Sequence, residues 1–186
     1  MVSGCSRSLV AAGVGAVLLV VAGCGPGGLA GDASGGASGE TSGAKPSGEV
    51  LAGVDPCGIL SDAELNSFGL STSGELTDTM PWRPKCYYEG EPVSLSISKN
   101  TRHTVDSSEK RDAWAEFERL KVNGRSAARA ITEGSTQSRA CDVMFDAGQG
   151  MIQVRTQEIR LPDDVDECAK ALEIAEKVEP NVPEPA

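Results

Sequence analysis

The chain has 186 residues, room for one domain of ordinary size but not for two. Its 17 Lys and Arg against 27 Asp and Glu leave a net charge of −10. This excludes a nucleic-acid binder, which needs a basic face to replace counterions on phosphate. The single histidine, His103, excludes mechanisms built on two imidazoles, and aromatics at 4% supply no ladder of stacking platforms.

Residues 1–23 read as a secretory signal. Arg7 flanks an almost uncharged run from Leu9 to Ala22, about 14 residues long. That is the length of a signal's apolar region and short of the roughly 20 residues a spanning helix needs. The run ends in Val21-Ala22-Gly23-Cys24, small residues leading into a cysteine, as in the bacterial lipobox. The expected chemistry is a diacylglyceryl group on the Cys24 thiol, cleavage before it, and acylation of the freed amine. Two or three acyl chains, at about 0.8 kcal/mol per buried CH₂, make a lasting anchor. The membrane is then a partner through the lipid, and the protein sits on the extracytoplasmic side of the cell membrane. Cys5 lies in the discarded segment.

Residues 24–49 read as the lipidated cysteine and a flexible Gly/Ser-rich tether. Thirteen of the 22 glycines lie in the first 48 residues, and no apolar periodicity offsets the entropy of ordering them. Such a tether reaches roughly 25–30 Å. From Val50 onward the net charge is −9, so the acidity belongs to the domain itself.

The domain is expected over residues 50–179, with 180–186 a disordered Pro-rich tail. Ser61-Asp62-Ala63-Glu64 fits a capping box that opens a short helix carrying Leu65 and Phe68 inward and ending at Gly69. Ser71 to Lys85 reads as irregular, and Cys86-Tyr87-Tyr88 as the approach to a strand. Val93, Leu95 and Ile97 alternate with Ser94, Ser96 and Ser98, a strand with one buried and one wet face. A second helix is expected from Asp106, with Ala113, Trp114, Phe117 and Leu120 on its inner side. Asn123-Gly124 marks a hairpin between Leu120–Val122 and Ala127–Ile131. A second hairpin turns at Ala147-Gly148-Gln149-Gly150, between Val143/Phe145 and Ile152/Val154. The last helix opens at Pro162-Asp163-Asp164 with an inner stripe of Val165, Cys168, Ala169, Leu172, Ala175 and Val178. The order predicts an α+β fold: an antiparallel sheet of about four to six strands with three helices packed on it.

Cys57, Cys86, Cys141 and Cys168 remain once Cys5 and Cys24 are set aside. An even count in an exported chain argues for two disulfides, and four cysteines allow three connectivities. The expected pairing is Cys57–Cys86 and Cys141–Cys168. A zinc site is disfavoured, because there is no C-x-x-C pair and no neighbouring histidine.

Asp55-Pro56-Cys57-Gly58-Ile59-Leu60, Cys86 followed at +2 by the aromatic Tyr88, and the Cys141…Cys168-Ala169 ending resemble one actinobacterial group. It is the lipoprotein family catalogued as domain of unknown function 3558, and the likeness covers about residues 54–178. The family often has Trp where this chain has Tyr88. The resemblance implies an envelope lipoprotein and supplies no activity.

No constellation carries obvious chemistry. His103 lies in a polar loop without an adjacent nucleophile motif. Asp163, Asp164, Asp166 and Glu167 lack the Gly and alternating ligands of a calcium loop and suit a helix N-terminus. Asp142 and Asp146 fall on one strand face, where paired carboxylates are ordinarily solvated. No catalytic residue, metal ligand or cofactor is expected. Trp82, Tyr87 and Tyr88 form the densest aromatic patch and the expected ligand surface, if there is one. The preferred function is a non-enzymatic binding module of the envelope, with an unidentified protein or small-molecule ligand and no nucleic acid. A carboxylate-dependent envelope hydrolase, or a purely structural envelope protein, is the alternative.

Overall fold

The structure, a computed structural model, describes residues 51–135, 138–159 and 165–186. Cys24, the signal and the tether therefore lie outside the described residues, as do Pro162, Asp163 and Asp164.

Among the described residues, seven strands form one antiparallel sheet. They are β1 (Glu75–Thr77), β2 (Lys85–Tyr88), β3 (Val93–Asn100), β4 (Trp114–Val122), β5 (Arg125–Thr132), β6 (Ala140–Ala147) and β7 (Gly150–Glu158). Their spatial order is β1-β2-β3-β7-β6-β5-β4. Three helices accompany them: α1 (Asp62–Ser67), α2 (Val105–Glu109) and α3 (Glu167–Val178). The α+β class and antiparallel sheet are as the sequence implies. The strand count exceeds the expected four to six, because β1 forms inside the stretch read as irregular and pairs with β2.

The topology is two meanders joined by one crossover. β1-β2-β3 runs first, the chain passes through α2 to the far edge, and β4-β5-β6-β7 returns to pair with β3. The two expected hairpins form the second meander. Asn123 and Gly124 take φ 47° and 96°, the left-handed pair that matches a two-residue turn to strand twist.

The sheet carries a core on each face. On the inner face, Leu95, Ile97, Phe145, Ile152 and Val154 meet Leu65 and Phe68 at α1 and Ala171, Ile174 and Val178 of α3. Each large apolar side chain so buried contributes about 1.5–3 kcal/mol. On the outer face a smaller cluster of Val105, Ala128, Ala130, Met144 and Met151 lies under α2. The helices are therefore split, with α2 opposite α1 and α3.

The second expected helix is mostly strand. Thr104 and Ser107 form a capping box for α2, but the helix ends at Glu109 and β4 begins at Trp114. The reason is a β-bulge: pairing with β5 shifts between Trp114 and Glu116. One extra residue lets Trp114 and Phe117 share a face at a spacing of three, which imitates helical periodicity. Their rings lie 5.9 Å apart. Leu120, opposite Ala127, points to the other face.

Three further expectations are corrected. The serine face of β3 is only partly wet: Ser94 and Ser98 are buried and Ser96 is half-buried, with Arg83 reaching across to Gln153, the partner of Ser98. In α3 the buried positions are Ala171, Ile174, Ala175 and Val178, with Cys168 half-buried and Ala169 exposed. The tether to Cys141 sets that rotation, and Asp166 caps the helix by accepting from the Ala169 N–H at 2.9 Å. The C-terminal tail is ordered rather than disordered. Gly148 and Ala186 exchange backbone bonds with Glu184 and Gly148 at 3.0 and 2.9 Å, and the Arg125 guanidinium donates to the Glu179, Val182 and Pro183 carbonyls.

Both disulfides have the expected pairing. Cys57–Cys86 ties the N-terminal loop to β2, and Cys141–Cys168 ties β6 to α3, each with Cα atoms 5.1 Å apart. Closing loops of this length contributes about 3–4 kcal/mol per bridge in the chain-entropy model.

Candidate functional site

The aromatic patch expected to bind a ligand is divided by the pleat. Tyr87 and Tyr88 are neighbours on β2, so they face opposite sides. Tyr88 is 1% exposed in the inner core, and its hydroxyl donates to the Cys57 carbonyl at 2.9 Å. Burial raises its pKa above the ordinary phenol value. It is a core residue and is removed from the ligand surface. Tyr87 stays half-buried on the outer face, paired with Ser96. Trp82 is also half-buried, with the Arg102 guanidinium stacked 3.9 Å from its ring centre.

The outer face around Tyr87 holds groups that the sequence alone does not bring together. Cross-strand partners point to one side, so register places Tyr87, Ser96, Arg155 and Asp142 in a row across β2, β3, β7 and β6. The adjoining row is Lys85, Ser98, Gln153 and Met144. Asp142 is the centre of a polar network. It is 0% exposed and accepts from Gln153 Nε2 at 2.8 Å, Thr132 Oγ1 at 3.2 Å and Arg155 Nη1 at 3.4 Å. Gln153 accepts in turn from Arg83 Nη2 at 2.9 Å, and Arg155 Nη2 donates to Ser135 Oγ at 2.9 Å. Burial lowers the Arg83 pKa, and the nearby Asp142 charge opposes that.

Asp142 and Asp146 do share a face, but neither is a freely solvated carboxylate. Asp142 is sealed by its three donors. Asp146 is half-buried and accepts from the Val105 N–H at 2.8 Å, fastening the start of α2 to β6. Burial raises its pKa, and that hydrogen bond partly offsets the rise. The pair sits four residues apart on one strand, about 13 Å along its axis.

The other candidates are each engaged locally. His103 Nδ1 lies 3.4 Å from Ser107 Oγ, but that hydroxyl also contacts the Thr104 carbonyl at 3.1 Å within the α2 cap. Asp166 caps α3, and Glu167 Oε1 accepts from Arg139 Nε at 2.8 Å. A groove of about 460 Å³ runs between residues 53–56 and Leu76, Pro81 and Pro84. The amine at its floor, Lys99 Nζ, is committed to the Ala52 and Val54 carbonyls. Among the described residues, no group of three or more His, Cys, Asp and Glu is placed to hold a metal, and no helix is long and apolar enough to cross a membrane.

Arg83, Thr132, Gln153 and Arg155 are the site residues that sequence reasoning missed. The alternation of Gln153, Arg155 and Gln157 with Ile152, Val154 and Thr156 marks a polar strand face. Only the pairing of that face with the β3 serines gives it significance.

The family model described as protein of unknown function (DUF3558) matches residues 19–181. No curated protein and no solved structure matches the chain.

Proposed function

Since the chain belongs to the DUF3558 family, a membership that dictates no reaction, we propose that it is a lipid-anchored binding module of the actinobacterial cell envelope. Its ligand surface is the outer face of the sheet around Tyr87, Ser96, Gln153 and Arg155. The lipobox-like Val21-Ala22-Gly23-Cys24 and the Gly-rich segment after it support the anchor and tether. The two disulfides support an oxidising, extracytoplasmic setting.

The observation that carries the binding reading is the state of the carboxylates. A hydrolase of this kind needs one carboxyl to give a proton and another to take one or attack. Asp142 is sealed from solvent by three donors, and Asp146 is occupied by the α2 backbone. The same face offers guanidinium, amide and hydroxyl groups, which recognise rather than react.

A photo-crosslinking residue placed at Tyr87, on the outer face, and separately at Glu176, on α3, tests this in intact cells. A discrete adduct from position 87 and none from position 176 is expected. No adduct, or the same adduct from both, overturns the assignment. Mass analysis of the N-terminal peptide tests the anchor: an acylated Cys24 is expected, and a free Cys24 thiol overturns it.

A further inference from the structure

We propose that Arg83 and Arg155, presented on the outer face of the sheet, bind the phosphate group of a phosphomonoester; the proposal rests on the binding-module reading above. The two cations are tied to one carboxylate. Arg155 Nη1 stands 3.4 Å from Asp142 Oδ2, and Arg83 connects to Asp142 Oδ1 through the Gln153 amide by bonds of 2.9 and 2.8 Å. Two positive charges share one buried negative charge.

The excess is local, in a domain of net charge −9. Elsewhere Arg119 pairs with Asp106 and Glu109, Arg129 with Glu118, and Arg125 with Glu179. Among the described residues, Arg83 has no carboxylate within ion-pair distance, and its one side-chain hydrogen bond goes to the neutral Gln153. Besides Asp142, the charges acting on it are Arg155 and Arg111, both positive. A partly desolvated guanidinium without a balancing anion is costly. Counting Arg83 and Arg155 against Asp142, the group keeps about one positive charge, which a bound anion neutralises.

The donors left unused select the ligand class. A phosphomonoester carries about −1.5 to −2 at pH 7 and presents three acceptor oxygens. A carboxylate supplies one charge and two oxygens. Each guanidinium has five N–H donors in a fork suited to phosphate. Arg83 uses one and Arg155 two among the described residues. The Tyr87 and Ser96 hydroxyls, in the same cross-strand row as Arg155, add neutral donors. The domain's overall negative charge repels an incoming anion only weakly, since fields are screened beyond about 8 Å at physiological ionic strength.

The test is calorimetric titration of the full chain in neutral detergent with glycerol 3-phosphate, dihexanoyl phosphatidic acid and acetate. Saturable binding of a phosphate probe is expected, at least tenfold tighter than acetate. Arg83→Gln and Arg155→Gln are expected to weaken it at least tenfold, and Arg129→Gln, at an exposed ion pair on β5, to leave it unchanged. Arg83→Lys keeps the charge but loses the fork, so an intermediate affinity guards against a folding defect in Arg83→Gln. Preference for phosphatidic acid identifies a lipid headgroup as the source, and equal binding of glycerol 3-phosphate a free phosphate ester; either supports the site. No saturable binding of either phosphate probe, equal affinity for acetate, or affinity unchanged in both glutamine variants overturns it. A position-87 crosslink alongside negative titrations overturns the phosphate assignment alone and leaves the binding module standing.

Discussion

Gln153 donates its side-chain amide to Asp142 at 2.8 Å, and its carbonyl oxygen accepts from Arg83, 70 residues earlier in the chain. A neutral residue thus transmits the link between a buried carboxylate and a distant cation. Gln153→Leu removes both bonds while keeping much of the volume. It leaves Asp142 with two donors and the Arg83 guanidinium without its acceptor, and is expected to cost about 1–3 kcal/mol. Urea denaturation measures this, and a loss below about 0.5 kcal/mol shows that the network does not brace the sheet.

Asp146 and Glu64 give opposite pH signatures. Burial raises the Asp146 pKa in the folded state. Its contribution to stability is therefore full below the unfolded value, near pH 3.9, and lost as pH rises through the folded one. Asp146→Asn escapes that loss and is expected to gain on the wild type between pH 3 and pH 7. The Ser61 backbone N–H, then its hydroxyl, lowers the Glu64 pKa. Its contribution is present above about pH 4.3 and lost as pH falls through the folded value. Glu64→Gln is expected to trail the wild type most at pH 7 and least at pH 3. Denaturation midpoints across that range check both, and parallel curves for either variant refute its assignment.

How far the sequence spoke for the fold depended on the range of the interaction. Ser61 and Glu64 are three residues apart, and Asn123 with Gly124 adjacent, so cap and hairpin were legible from local chemistry. Trp114 and Phe117 misled because a bulge gives a strand the spacing of a helix, and nothing local distinguishes the two. Position along the strand, not residue type, separated Tyr87 from Tyr88. The candidate site lay furthest from view. Asp142 meets Gln153 and Arg155 through one hairpin, but Arg83 arrives from the other meander, and only the β3–β7 pairing joins them.

Gly74 lies against the Cys57–Cys86 bridge: a Cβ there would overlap both Cys86 Sγ and the edge of the Tyr88 ring. Replacing Cys57 and Cys86 together by Ser is expected to cost about 3–4 kcal/mol through loop entropy. Gly74→Ala is expected to cost about 1–3 kcal/mol by overpacking, and less once the bridge is gone. Thermal melts of the two variants and their combination measure the coupling. Additive losses show that Gly74 and the bridge do not interact.

Arg125 and Glu179 form an ion pair with side chains only 4% and 8% exposed. The same guanidinium holds the Glu179, Val182 and Pro183 carbonyls, so one side chain on β5 fixes the last eight residues. Removing one partner of a buried pair leaves an uncompensated charge, and Arg125→Ala is expected to cost about 3–5 kcal/mol. Replacing both by apolar residues of similar volume, Arg125→Met with Glu179→Leu, removes the desolvation penalty together with the attraction and is expected to cost much less than Arg125→Ala alone. It still forfeits the bonds to the tail carbonyls. Hydrogen exchange at Gly148 and Ala186, whose amides close the tail onto the β6–β7 turn, is therefore expected to quicken in the double variant even if global stability is kept. Retained protection at both amides would show that the tail holds by its own packing of Val182 and not through Arg125.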